Sequence, residues 1–329
     1  MPDEGAPHSR TWMAFGPSPK IWGRKLHPHV QDNLALIAKT ISNYEPVTML
    51  VRPEERAIAA EKCGPKVNLL ECPIDDLWIR DSGPVFVLAP DGSRAGVDFN
   101  FNGWGKKQAH KNDAKVAATV LSAAGVPRIE TDLCMEGGGI EIDGEGTAIV
   151  TESCTLIQNR NPDWNKADFE AEIEHLLGVK KVIWIPGVKG ADITDGHTDF
   201  YARFTSPGTV VAHLDHDRSS SEYKLTRKHL EILEASTDAR GKKLRVVTLA
   251  APTTIRDRFS NNDFCAGYIN FYVCNGAVLG TEFGDAKADG ESKEKLASLF
   301  PGRTIEMLNI DAIAAGGDGI HCATQQQPK

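Results

Sequence analysis

Apolar and polar positions along this chain alternate between two periods. Short β-rich runs close on the turn dipeptides Asp91-Gly92, Asp143-Gly144 and Asn275-Gly276, and Pro207-Gly208 separates the runs 200–204 and 210–212. Helical spacing follows. One helix is predicted over 112–124, ending at Gly125. A second, over 165–177, sets Phe169, Ile173, Leu176 and Leu177 on one face and ends at Gly178. Two more are predicted over 221–236 and 291–300, with strands next at Lys181–Ile185, 244–249 and 304–310. The order hairpin, helix, strand therefore recurs.

The chain ends read as halves of one more unit. The stretch 319–325 is predicted as a strand with no hairpin partner. The stretch 11–15 is predicted as another, followed by a helix around 29–41 and a strand at Val47–Val51. Pairing the ends makes a fifth unit and closes a ring, which hides the sheet edges. No low-complexity linker interrupts the order, so a single domain over 1–329 is expected.

Composition narrows the class. The 329 residues are 41% hydrophobic and 25% charged, as in globular chains that bury a large core. The polar N-terminus carries no secretory pattern and no apolar run reaches membrane-span length, so a cytoplasmic protein is expected. A formal net charge of −8 makes nucleic acid and acidic membranes poor partners and favours a small cationic substrate. Seven cysteines without Cys-x-x-Cys argue against a disulfide framework or a zinc ribbon, and most are expected to be inert buried residues.

In a ring, the loops entering the hairpins converge near the axis. These loops hold Trp78-Ile79-Arg80-Asp81, Glu136-Gly137-Gly138-Gly139, Asp195-Gly196-His197-Thr198-Asp199 and Asn261-Asn262-Asp263, and Cys322 arrives from the closing unit. His197 and Asp199, two apart at a predicted strand start, would face one side and suit acid–base work; a capped turn with a surface histidine is the alternative. Asp81 is either one half of an Arg–Asp pair or a carboxylate that forks onto a guanidinium beside the flat Trp78. Glu136 opens a glycine run that permits close backbone approach, or simply enters a hairpin. Cys322 sits among glycines and polar residues, where a cationic neighbour can favour the thiolate. His321 is set aside as its base, because strand neighbours point to opposite faces. His213-Leu214-Asp215-His216-Asp217 is dense in metal-ligand types: either a charged loop or the metal site of a guanidino hydrolase.

Taken together, these stretches resemble the agmatine deiminase family, related to Porphyromonas-type peptidylarginine deiminases in the guanidine-modifying (pentein) superfamily. The matching segments are Thr11-Trp12-Met13-Ala14, Trp78 to Pro84, Phe101-Asn102-Gly103-Trp104-Gly105, Glu136-Gly137-Gly138, Asn159-Arg160-Asn161-Pro162, Thr194-Asp195-Gly196-His197-x-Asp199 and Ile320-His321-Cys322-x-Thr324-Gln325-Gln326. The resemblance implies a five-bladed α/β propeller and a deiminase that needs no cofactor or metal. Cys322 matches the nucleophile, His197 the acid–base, Asp81 and Asp199 the guanidinium-holding carboxylates, and Glu136 a glutamate near the histidine. Trp78, Asp195, Trp12, Trp104 and Gly317 are the candidate substrate contacts, and a homo-oligomer is an open possibility.

The chain departs from the family pattern at Gly316-Gly317-Asp318-Gly319, where Gly-Gly-Gly-Asn is usual. It departs again at Phe15-Gly16 and at Thr198 with Phe200-Tyr201. These departures bear on the substrate's tail. Agmatine is the expected substrate; an arginine enzyme would need a cation for the substrate carboxylate, with Arg203 and Arg256 as candidates. A metal-dependent urea-releasing hydrolase and a non-catalytic guanidine binder are the competing readings.

Overall fold

The computed structural model describes residues 1–329. Its fold is mixed α/β, with strands gathered into five small sheets. The first sheet runs Gln325–Pro328, His8–Phe15, Val47–Val51, Val67–Glu71. The second holds Val85–Leu88, Arg94–Asp98 and Arg128–Glu130; the third Ile140–Ile142, Thr147–Thr151 and Lys181–Ile185. The fourth holds Ala202–Ser206, Thr209–Leu214 and Arg245–Ala250; the fifth Tyr272–Cys274, Ala277–Thr281 and Thr304–Leu308. In each, an antiparallel pair is extended by a parallel strand. The antiparallel partner of His8–Phe15 is the C-terminal strand, so both chain ends share one sheet.

Local chemistry explains most elements. Helix Lys166–Leu177 starts on a reciprocal capping box between Asn165 and Asp168, and both it and Val116–Ala124 end on a left-handed glycine, Gly178 and Gly125. Helix Glu222–Ala235 falls inside its expected range. Helix Ala286–Leu299 begins five residues before the expected start. Asp285 caps it by accepting from the Ala288 N–H, and the exposed Gly290 is tolerated within it at a cost of about 1 kcal/mol. The first helix likewise begins early, at Pro19 behind the Ser18 cap, and runs to Ile41 across a kink at Gly23. Its Val30, Leu34, Ile37, Ala38 and Ile41 face the core.

Two local expectations fail. Residues 319–324 form a turn, and the strand begins only at Gln325. Thr324 Oγ1 donates back to the carbonyls of Ile320 and His321, which curls the segment. Thr198–Phe200 is a single 3₁₀ turn with His197 at its start, not a strand. Thr198 Oγ1 donates to the Gly139 carbonyl and meets Thr151 Oγ1, pinning this turn to the third sheet. No helix is long and apolar enough to cross a membrane.

Candidate active site

The turns feeding the hairpins bring Asp81, Glu136, His197 and Asp199 together with Cys322, all of them buried. The nucleophile candidate donates from Sγ to Asp199 Oδ2 at 3.1 Å and receives the Asn270 Nδ2 donor at 3.2 Å. Asn270 Oδ1 accepts the backbone N–H of His321 at 2.9 Å, so one amide grips both the thiol and its backbone. A side chain on residue 319 would collide with it, because a Cβ there lies 2.5 Å from Asn270 Oδ1. This explains why glycine stands at 319.

His197 lies between carboxylates. Its Nε2 is 3.3 Å from Glu136 Oε2 and its Nδ1 is 3.7 Å from Asp81 Oδ1. Burial alone would lower the imidazole, but Asp81, Glu136 and Asp199 outweigh it and lift it to about 10. The ring is therefore an imidazolium at neutral pH. Glu136 is in turn clasped by Arg160, whose Nε lies 2.8 and 3.0 Å from its two oxygens. Burial raises Glu136, yet Arg160 and His197 hold it below the usual carboxylate range. Asp81 ends above its usual value: burial dominates, and one imidazolium cannot compensate three carboxylates.

The glycine run decides the middle of the site. A methyl group on Gly138 would sit 2.6 Å from His197 Nδ1, 3.0 Å from Asp81 Oδ1 and 3.1 Å from Asp199 Oδ2. Three polar atoms from two other hairpin entries thus converge on the third, where only glycine leaves room. Two buried polar atoms here, His197 Nδ1 and Asp199 Oδ1, have no hydrogen-bond partner in the protein.

The thiol is a poor acid as it stands. Burial pushes it well above the ordinary cysteine value, and Asp199, Asp318 and Asp81 add to the shift. Asp318 is raised well above its own usual value, by burial first and then by Asp199 and Asp81.

The other sequence candidates divide. Trp104 donates Nε1–H to Asp81 Oδ2 at 2.8 Å and so aims that carboxylate. It holds a left-handed backbone (φ 55°) between Gly103 and Gly105, a strained geometry for a bulky residue. Trp78 stacks with Trp22 at 5.7 Å in the same hydrophobic cluster as Cys322. Trp12 packs in a different cluster, with Leu50 and Phe86, and its Nε1–H donates to Gln327. Asp195 braces Arg160: its oxygens meet Arg160, Lys107 and the Gly190 N–H. Gly317 lines a cavity of about 500 Å³ together with Phe200, the chain neighbour of Asp199, and with Asp192, Asp215, Glu222, Asp263 and Cys265.

His321 was set aside on a strand argument that the turn removes. Its Nδ1 is 2.7 Å from Asp199 Oδ2, beside the thiol on the same oxygen. Arg160 carries no sequence signal of its role beyond lying in a matched stretch, and Asn270 carries none; their importance comes from what they touch. The His213–Asp217 segment does not converge: Asp215 and Asp217 cap backbone N–H groups of their own loop. The one group of three His, Cys, Asp or Glu ligand atoms lying within 4.8 Å of one another is Asp199, His321 and Cys322.

Comparison with known proteins agrees in scale. A profile of Porphyromonas-type peptidyl-arginine deiminases matches residues 1–328. A Streptomyces coelicolor protein is 42% identical, covering 100% of this chain and 98% of its own. The agmatine deiminase of Stutzerimonas stutzeri is 35% identical, covering 100% and 95%. The solved agmatine deiminase of Enterococcus faecalis is 31% identical, with a TM-score of 0.94 over 100% of this chain and 95% of that one.

Proposed function

The chain belongs to the Porphyromonas-type peptidyl-arginine deiminase family, and on that premise we propose that it is an agmatine deiminase, a hydrolase converting agmatine and water to N-carbamoylputrescine and ammonia. The observation that carries this reading is the convergence at Gly138. Two carboxylate oxygens and the His197 imidazolium surround one point, with the Cys322 thiol on the same Asp199. That is a seat for a planar cation with several N–H donors.

In this reading Asp81 and Asp199 fork onto the guanidinium, and Asp199 Oδ1 gains its missing partner. The arriving positive charge reverses the field that keeps the thiol protonated, so ionisation awaits substrate. The proton leaves Sγ toward Asp199 Oδ2, and the thiolate attacks the central guanidinium carbon. His197, charged at rest, protonates the leaving nitrogen from Nδ1, and ammonia departs. A water that the neutral His197 deprotonates then attacks the carbon of the covalent thiouronium-like intermediate, the C–S bond breaks, Asp199 returns its proton to Sγ, and the ureido product loses the remaining proton to solvent. Glu136, braced by Arg160, keeps the imidazole charged and aimed. No step calls on a cofactor.

The tail favours agmatine over arginine. Arg203 and Arg256, the two candidates for a substrate carboxylate, are both engaged: Arg203 by Glu141 and Glu4, Arg256 by Glu282 and Asp311. The cavity at Gly317 is lined by five carboxylates and no Lys or Arg. A cationic tail is at home there and a carboxylate is repelled.

We extend the reading to the architecture. The five sheets act as blades of one propeller-like catalytic domain spanning 1–329, which the shared sheet of the two chain ends and the drawing of the site from residues 81 to 322 support. A cytoplasmic role in putrescine formation fits the reaction.

The test is ammonia release from agmatine, arginine, peptidyl-arginine, methylated arginines and guanidinobutyrate. Agmatine is expected to lead arginine by at least ~10²-fold in kcat/KM, because the wrong tail puts an unpaired charge among carboxylates. Equal or better turnover of arginine would reassign the substrate. A second expectation concerns pH. His197 must be protonated to release ammonia, so kcat/KM should fall on the alkaline side near pH 10. Because its value is raised on folding, the stability it contributes is also fully present below ~6.5 and lost as pH rises through about 10. In Glu136→Gln the alkaline limb should move to lower pH; an unmoved limb would remove His197 from the role.

A further inference from the structure

The N-terminal segment is built into the interior beneath the nucleophile. The Met1 ammonium donates to the Leu177 carbonyl, Arg303 donates to the Gly5 carbonyl, and His8 Nε2 lies 2.8 Å from the Glu4 carbonyl oxygen. Between these anchors the Glu4 side chain reaches a buried cluster of cations. Its Oε2 lies 2.9 Å from Arg80 and 2.9 Å from His321 Nε2, and its Oε1 accepts from Arg203 at 3.0 Å and from the Val273 N–H at 2.8 Å.

Continuity is the informative feature. From Glu4 Oε2 the contacts run to His321 Nε2, through the ring to Nδ1, then to Asp199 Oδ2 at 2.7 Å, and from that oxygen to Cys322 Sγ at 3.1 Å. The mechanism uses Asp199 and Cys322 but leaves Glu4 and His321 without a part. We propose that Glu4 is a positioning residue for the reaction, acting through His321 to hold its imidazole against the Asp199 oxygen that also meets the Cys322 thiol; this rests on Cys322 being the nucleophile.

The physical argument is one of placement. With a carboxylate oxygen at each end, both ring nitrogens are engaged, and Glu4 fixes the plane of the imidazole. A ring held on the shared Asp199 oxygen partly satisfies that carboxylate beside the sulfur, which eases formation of the thiolate when substrate arrives. Glu4 itself stays ionised: burial would raise it, but Arg203, His321 and Arg80 hold it well below the usual carboxylate value. The other charged groups around this path are Asp318, Asp81 and His197 on the Asp199 and Cys322 side, and Glu141, paired to Arg203, on the Glu4 side. The backbone of His321 is fixed separately, its N–H by Asn270 and its carbonyl by Arg80 Nε.

The experiment uses the full chain without an N-terminal extension, as wild type, Glu4→Gln, Glu4→Asp, His321→Gln and the double variant Glu4→Gln/His321→Gln. Iodoacetamide alkylation of Cys322 is followed against pH without substrate, and kcat and KM for agmatine are measured alongside. In Glu4→Gln the alkylation midpoint should move to higher pH, with alkylation at pH 8 slowed ~10-fold, and kcat should fall ~10-fold with KM within about twofold. Glu4→Asp should recover part of both, and Glu4→Gln should add little in the His321→Gln background.

The sign is diagnostic. Direct loss of a negative charge near the thiol would move the midpoint down, whereas loosening the His321 contact with Asp199 leaves that carboxylate less satisfied beside the sulfur and moves it up. A downward or absent shift, or additive effects in the double variant, would overturn the proposal, even if thermal stability falls. The alkylation arm needs no substrate, so failure of wild type to release ammonia from agmatine would count against the deiminase reading alone.

Discussion

Replacing Cys322 with alanine should reduce ammonia release from agmatine by at least ~10⁴-fold, while agmatine still binds within about tenfold of wild type. The two expectations come from different atoms. Bond formation to the guanidinium carbon needs the sulfur, and no other thiol touches Asp199 in this structure. On the proposed reading, binding rests on Asp81 and Asp199, which the substitution leaves in place. Removing the thiol also removes one donor from Asp199 Oδ2, leaving that oxygen more available to a cation. Turnover above about a hundredth of wild type would eliminate Cys322 as nucleophile. Binding without turnover in the wild type would instead favour a guanidine binder. Urea release that is lost in chelator would restore the metal-dependent reading.

The second large effect is expected from a residue with no chemistry of its own. In Gly138→Ala the added methyl would stand 2.6 Å from His197 Nδ1, 3.0 Å from Asp81 Oδ1 and 3.1 Å from Asp199 Oδ2. The imidazole cannot swing aside cheaply, since it is buried and held by Glu136, which Arg160 holds in turn. The backbone at Gly138 is not left-handed, so alanine is permitted by the chain and excluded only by the site. A loss of ~10³-fold in kcat/KM is expected, with overpacking costing ~1–3 kcal/mol of stability. Circular dichroism and thermal unfolding separate the two effects. A folded Gly138→Ala protein with activity within tenfold of wild type would show that substrate does not use this point.

The regular elements were largely legible because their signals are local. Asn165 and Gly178 bracket one helix, and Gly125 closes another. Misreadings arose where a distant contact overrode a local pattern. The stretch around Cys322 has strand-like residues, yet Thr324 and Asn270 bend it into a turn, and that bend brings His321 to the same oxygen as the thiol. His197 and Asp199 meet the site through a 3₁₀ turn clamped by Thr198, not through strand alternation. Trp12 and Asp195 lie in matched segments, but one is enclosed by the core and the other is consumed by Arg160 and Lys107.

The sequence by itself determined the order of most elements and the hairpin loops that carry polar clusters, and it nominated Asp81, Glu136, His197, Asp199 and Cys322, whose expected roles came from the family resemblance. Turn dipeptides, caps and motif spacing act over a few residues and need no knowledge of the fold. Only the tertiary structure decided which of those groups share an atom, which are already satisfied, and which remote residues support them. Arg160 behind Glu136, Asn270 on the thiol and Glu4 behind His321 join segments far apart in the chain. In the dry interior an unpaired charge is costly, so the partner of each charge is set by proximity after folding rather than by spacing before it.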